Sequence, residues 1–351
     1  MGSATEIELF FDWDNRRIIT ADNGMGMNYN ELMDAMEIGS ADPNEMRPSE
    51  DLGRFGLGMK TASFSLAKKL LVISKKNSNV SNAEWNLDIV AAEDKWEISE
   101  YDEFKISMLL KSLDSYTHYN NWKQGTLIVI SELDRLIDET NLDKSKKNFY
   151  KMIKNIKSHI AITFHRFMEE NDLKIFVNEN EIKPWNPFWL KSPATMELAQ
   201  EELFDGKNEV LVEPYILPHK SKYNSEEEFN EAAGVKDWRG HQDFYIYRNR
   251  RLLVYGTWFG KFKKELAYNL ARVKLDMSAD SDFEWDIDIK KSQATLPVVI
   301  EEQITQIAYL AIEKSVAVYN SRGVYNRKNT ANNTSLKYVW EQKIKIYQLY
   351  G

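Results

Sequence analysis

Asp22-Asn23-Gly24-Met25-Gly26-Met27 and Gly53-Arg54-Phe55-Gly56-Leu57-Gly58-Met59-Lys60-Thr61 together hold five of the chain's 15 glycines. Glycine accepts positive φ and lets backbone approach a ligand closely. The first cluster is led by an acid at the end of a strand pattern, and the second runs straight into a helical pattern. A carboxylate such as that of Asp22 can accept a hydrogen bond from an exocyclic amine, while Gly24 and Gly26 would let a flat ring lie against the main chain. The plain alternative for this cluster is an ordinary Asp-Asn-Gly turn.

The second cluster points to an anion site. Free N–H groups and the helix dipole favour negative charge where a helix begins. Lys60 adds a cation, and Thr61 and Ser63 add hydroxyls. The plain alternative is a flexible loop capping a surface helix. Two familiar phosphate loops are excluded by spacing. Met59 separates the last glycine from Lys60, against a Walker A loop, and Thr61 stands where a dinucleotide fingerprint needs its third glycine.

At 351 residues, 43% apolar and 28% charged, the chain is globular and long enough for two domains. Its net charge of −8 means that any nucleic acid must be met by a local basic patch. The absence of cysteine excludes disulfides and thiolate chemistry. The five histidines are scattered, with no metal-like pairing to carboxylates at ligand spacing. There is no membrane-length apolar run and no signal-peptide pattern at the amino terminus, so a cytoplasmic protein is expected.

Residues 5–11 and 17–21 alternate as a β-hairpin. Asn30 is expected to cap a helix to Ile38, and Ser40–Asp51 reads as a mobile loop. Met59–Leu70 reads as a helix. Leu70–Ser74, Trp85–Val90 and Thr126–Ile130 read as strands, and Ser99–Asn121 has no clear pattern. A long helix is expected over Lys146–Glu169. Beyond a strand at Leu173–Val177 come a proline-marked linker, a charged surface stretch over Ser221–Asp237, and a hairpin with Arg248-Asn249-Arg250-Arg251 at its tip. Ala271–Met277 and Trp285–Ile289 read as strands, and Pro297 suits the first turn of a helix to about Tyr319. Trp238, Tyr245, Tyr247, Trp258 and Trp285 are expected in the core.

In this order, about thirty residues apart, the two clusters resemble those of the GHKL ATPases: gyrase B, heat-shock chaperone ATPases, histidine kinases and MutL. The likeness is strongest to the MORC-like and MutL-like branch. The resemblance implies an α+β fold, a two-layer α/β sandwich of the Bergerat type over residues 1–170. A transducer-like α/β domain over 171–320 and a polar, basic tail over 321–351 would follow. It implies that Asp22 binds adenine, with Asn23, Gly24, Gly26 and Met27 around it. Gly53, Arg54, Phe55, Gly56, Leu57, Gly58, Met59, Lys60 and Thr61 would enfold the phosphates. Ser40–Asp51 takes the place of the ATP lid, and Gly125-Thr126 that of the pair that supports the aspartate. Lys290 or Lys291 would be the γ-phosphate sensor, the plain alternative being a solvated lysine pair.

ATP and Mg²⁺ are the implied cofactors, an ATP-dependent homodimer and DNA the implied partners, and a role on DNA or in phage defence the implied setting. The family's glutamate general base and magnesium-binding asparagine lie on a helix before the hairpin. Met1-Gly2-Ser3-Ala4-Thr5 resembles the segment that follows that helix. An internal start of a longer gene, half of a split system and a non-hydrolysing binder are the competing readings. Hydrolysis is therefore doubtful at this stage, and a nucleotide-gated binding module is the alternative function. A histidine-kinase-like phosphotransferase would need an upstream phosphoacceptor helix.

Overall fold

The computed structural model describes residues 4–37, 58–282, 284–286 and 294–321. Two compact units divide the chain, with the main boundary at Pro184 and Trp185 and with Ile162–Phe164 counted in the second unit. It lies beyond the 170/171 division because the strands after residue 170 still join the first sheet.

The first unit opens on β1 (Glu6–Asp12) and β2 (Arg17–Asp22), a hairpin paired from Ile7↔Asp22 to Asp12↔Arg17. Asp12 fastens its turn, accepting from the Asn15 amide and the Arg17 guanidinium. Helix α1 (Tyr29–Met36) starts two residues earlier than Asn30 suggested. Asn28 is the cap, with the Glu31 carboxylate closing a capping box, and that reciprocal pair satisfies two otherwise orphaned N–H groups. Then come α2 (Gly58–Leu66), β3 (Lys69–Lys76) and β4 (Asn79–Asn86). The strand expected over Trp85–Val90 ends at Asn86. The Asn86 side chain caps a short helix α3 (Leu87–Glu93), a local bond that overrides the β-propensity of Ile89 and Val90. Helix α4 (Glu103–Leu113), capped by Asp102, occupies the stretch with no legible pattern. Strand β5 (Gly125–Ser131), helices α5 (Leu142–Thr163) and α6 (His165–Glu169), and strands β6 (Lys174–Val177) and β7 (Asn180–Glu181) complete the unit.

Its seven strands run in the order β4-β3-β5-β2-β1-β6-β7, antiparallel except for the parallel β1–β6 pair. Strand side chains alternate between faces. Leu70, Val72, Ala83 and Trp85 face α1 and α2 through Leu32, Met36, Met59 and Phe64. Phe11, on that same face, meets Phe149 of α5. The opposite face carries Ile19, Ala21, Leu71, Ile73, Leu127 and Val129 and is covered by α4 and Tyr119.

The second unit holds strands β8 (Met196–Glu197), β9 (Glu201–Phe204) and β10 (Glu209–Ile216). Helix α7 (Glu226–Ala233) lies in the expected charged excursion, and α8 (Asp237–His241) begins at its end. Strands β11 (Asp243–Arg248), β12 (Arg251–Thr257) and β13 (Ala271–Met277) follow. The sheet order is β12-β11-β13-β10-β8, with β9 on β10. Helix α9 (Val298–Asn320) enters through Pro297 and buries Ile300, Ile304, Ile307, Ala311 and Ile312 in the core with Val212, Val273 and Leu275. Tyr245, Tyr247, Trp258 and Trp285 are buried as expected. Trp285 lies in a turn rather than a strand.

Candidate nucleotide-binding site

Three adjacent strands bring three polar side chains to one face of the first sheet. The register pairs Asp22 with Thr126 and Thr126 with Ser74. Each therefore stands on the face that α1 and α2 cover. Ser74 is fully buried. Its hydroxyl accepts the Met27 N–H at 2.7 Å, donates to the Gly125 carbonyl at 3.2 Å and lies 3.1 Å from the Thr126 hydroxyl. Sequence reasoning missed Ser74; its one trace is a polar residue ending the apolar run Leu70-Leu71-Val72-Ile73.

Asp22 ends β2, and its carboxylate accepts the Gly24 N–H at 2.9 Å. Burial pushes this carboxyl above the usual aspartate range, and the Gly24 and Thr126 amides pull it partly back. An ionised carboxylate has about four acceptor positions, so Asp22 retains capacity for an outside N–H donor. Gly26 has φ +64°, and a Cβ there would lie 2.1 Å from the Lys75 carbonyl oxygen. Gly125 has φ +144°, and its Cβ would lie 2.1 Å from the Asp22 carbonyl oxygen. Both glycines let main chain lie directly on main chain, which is how the 24–27 corner closes over β3 and β5. Gly26 thus serves the fold.

The other expected residues divide. Asn23 faces the start of β1, accepting from the Thr5 and Glu6 amides at 2.9 and 3.0 Å; it positions the corner. Met27 and Met59, which follow the two glycine clusters, pack against one and the same apolar group. Helix α2 begins at Gly58, where an added Cβ would meet no atom of the described residues within 4 Å. Thr61 is exposed and lies one turn on, bonding back to the Gly58 carbonyl. Lys60 departs from expectation. It is buried, and its ammonium caps α1 by donating to the carbonyls of Ala35, at 2.9 Å, and Glu37. A lysine at a helix C-terminus satisfies orphan carbonyls, so it is turned to that task rather than toward an anion at α2. Gly53, Arg54, Phe55, Gly56, Leu57, Lys290, Lys291 and the Ser40–Asp51 loop lie outside the described residues. A cavity of about 880 Å³ opens beside α1 between Met33, Glu37, Trp85 and Trp96; Asp22 and Thr126 do not line it.

At the arginine tip of the second unit, two side chains are held by protein groups. Arg248 is buried and forked onto the Asp282 carboxylate, with Nη2 at 2.9 Å from Oδ2. Arg251 is half-buried over the Phe164 ring. Arg248 is therefore part of a buried ion pair.

Residues 2–120 match the family described as histidine kinase-, DNA gyrase B-, and HSP90-like ATPase. Over this span the first unit is a GHKL-type ATP-binding domain. It is similar to the chaperone protein HtpG of Rickettsia rickettsii (strain Sheila Smith), 24% identical over 264 residues that cover 71% of this chain and 37% of the relative. HtpG of Rickettsia bellii (strain OSU 85-389) is 23% identical over 258 residues, 70% of this chain and 36% of that protein. The chain thus spans little more than a third of the length of the curated relatives it matches. Among solved structures, the ATPase region of Saccharomyces cerevisiae topoisomerase II aligns with 90% of this chain and 79% of its own, at a TM-score of 0.44 and 11% identity. No helix among the described residues is long and apolar enough to cross a membrane.

Proposed function

We propose that this GHKL unit binds ATP with its adenine amine on Asp22 and its phosphates toward the start of α2, and acts as a nucleotide-driven conformational switch. The observation that carries the reading is the Asp22–Thr126–Ser74 row. It presents one partly buried carboxylate, braced by main-chain amides, on the sheet face that α2 covers. Adenine would donate its exocyclic N–H to Asp22, a charged-group hydrogen bond worth about 1.5–3 kcal/mol. Gly58, with open space beside it, would admit phosphate oxygens close to the free N–H groups of α2. Mg²⁺ would arrive with the triphosphate, for it prefers phosphate oxygens and water to an all-protein cage. Dimerisation on ATP and transmission to the second unit belong to the same proposal. The buried Arg248–Asp282 pair lends no support to DNA contact at the β11–β12 tip.

Calorimetry with ATP–Mg²⁺ and with ADP on the full chain tests this. Asp22→Asn is expected to lower ATP affinity roughly tenfold to a hundredfold, following the hydrogen-bond energy above, with the circular dichroism spectrum unchanged. Equal affinity in the two proteins would refute the adenine assignment. Phosphate release measured beside binding separates an ATPase from a module that binds without turnover.

A further inference from the structure

The face of the sheet opposite Asp22 carries a second constellation. Glu6 and Glu8 are alternate residues of β1, so both carboxylates leave the same side. Glu8 pairs with Ala21, whose side chain belongs to the α4-covered face. Phe10, next along that side, meets the Tyr116 ring at 4.6 Å, which seats residues 116–118 over the start of β1. His118 comes down there. Its Nδ1 contacts Glu8 Oε1, its backbone N–H donates to Glu8 Oε2 at 2.8 Å, and the Thr117 hydroxyl donates to the same oxygen at 2.5 Å. Glu8 is only 8% exposed, so this carboxylate is locked in place before any ligand arrives.

One ligand atom from each of Glu6, Glu8 and His118 lies within 4.8 Å of the other two. We propose that these three residues form a binding site for a divalent transition-metal ion of the zinc class. Zn²⁺ takes imidazole nitrogen and carboxylate oxygen at about 2.0–2.2 Å, so small side-chain adjustments let all three atoms reach one ion. The chain has no cysteine, and the donor set is one nitrogen with carboxylate oxygens. That set suits zinc, manganese or ferrous iron and disfavours soft cuprous ions. Charge argues the same way. Glu6, Glu8 and Glu179 surround a single imidazole, and both Glu6 and Glu179 lie close enough to act electrostatically on it. Lys174, paired beside Glu6 across β1 and β6, offsets part of this charge, and a dication would neutralise the remainder. A cavity of about 160 Å³ lined by Glu8, Asp114, His118 and Glu179 adjoins the cluster. Its volume exceeds the roughly 30 Å³ of one water, leaving room for a water or an exogenous ligand at a fourth position. The site is separated from the nucleotide row by the thickness of the sheet, so this ion is distinct from the Mg²⁺ that accompanies ATP.

The test is titration of the tag-free full chain with ZnCl₂ alone, without nucleotide, by calorimetry and thermal unfolding, with Co²⁺ absorption as a report on coordination. One saturable site and a rise in Tm are expected. His118→Ala alters an exposed side chain, and Glu6→Gln keeps shape while removing charge. Each should weaken binding at least tenfold and abolish the Tm rise, with circular dichroism unchanged. Asp22→Asn should bind Zn²⁺ like the parent. Absence of saturable binding, or binding that His118→Ala and Glu6→Gln leave intact, overturns the assignment. Loss in Asp22→Asn equal to that in the cluster variants also overturns it, placing the ion on the nucleotide side.

Discussion

Gly26 and Gly58 look alike in sequence and should respond in opposite ways to alanine. At Gly26 the backbone is left-handed, φ +64°, and the new Cβ would stand 2.1 Å from the Lys75 carbonyl oxygen and 3.2 Å from that of Gly125. The left-handed conformation costs a residue with a Cβ roughly 1–2 kcal/mol. Relief of the overlap requires the corner to lift off β3, which breaks the Met27 N–H bond to Ser74. A buried partner left unsatisfied adds roughly 1–3 kcal/mol. Gly26→Ala should therefore destabilise the first unit by roughly 2–5 kcal/mol. At Gly58 an added Cβ meets nothing among the described residues within 4 Å and φ is not left-handed. There alanine should leave stability equal or raise it by up to about 1 kcal/mol, the helix-propensity difference. Its effect should be confined to ATP affinity, through crowding of the phosphates. Urea unfolding followed by fluorescence, with ATP calorimetry on the same samples, reads both quantities. A Gly26→Ala protein within about 0.5 kcal/mol of the parent, the scatter of ordinary surface changes, would refute the close-approach reasoning. A Gly58→Ala protein with full ATP affinity would remove α2's first residue from the phosphate site.

Arg248→Ala removes the forked guanidinium from a buried carboxylate and should cost about 3–5 kcal/mol, whereas Arg248→Met with Asp282→Leu should recover most of that loss. Urea midpoints decide it, and a cost below about 1 kcal/mol would mean the pair behaves as a surface bridge. Asp243 is fully buried against the Lys264 ammonium, and burial pushes its carboxyl up from 3.8 to about 7. The folded chain then holds a proton that the unfolded chain has released. The stabilisation is complete below about pH 4 and is lost as pH rises through about 7, at up to about 1.4 kcal/mol per unit. Asp243→Asn cannot ionise, so parent stability relative to this variant should fall with that slope and flatten above pH 7. A pH-independent difference in unfolding free energy would show that Lys264 keeps Asp243 ionised throughout.

The elements legible in the sequence are those set by neighbours a few residues away. The β1–β2 hairpin, β3, β5, α5, α9 and the first glycine cluster rest on period-two or helical alternation and on turn chemistry, and the structure places them within a few residues of expectation. The family resemblance rested on the same local patterns. Where local signals competed, the reading slipped. Asn28 outcompeted Asn30 as a cap because Glu31 could answer it reciprocally. Asn86 turned an apparent strand into α3. Helix α4 was hidden because several of its apolar residues, Phe104 and Met108 among them, stay exposed, blurring the amphipathic stripe.

By itself the chain determined where its backbone can turn, approach and begin a helix, because glycine, proline and capping side chains act over one or two turns. Tertiary structure alone decided which polar groups are partners. Lys60 reaches back to the end of α1, Ser74 meets Met27 across strands, and Arg248 finds Asp282. Glu8 and His118 lie 110 residues apart, so no spacing rule could pair them. Charge and hydrogen bonding operate through space at a few ångströms, and sheet pairing, rather than chain order, sets those distances.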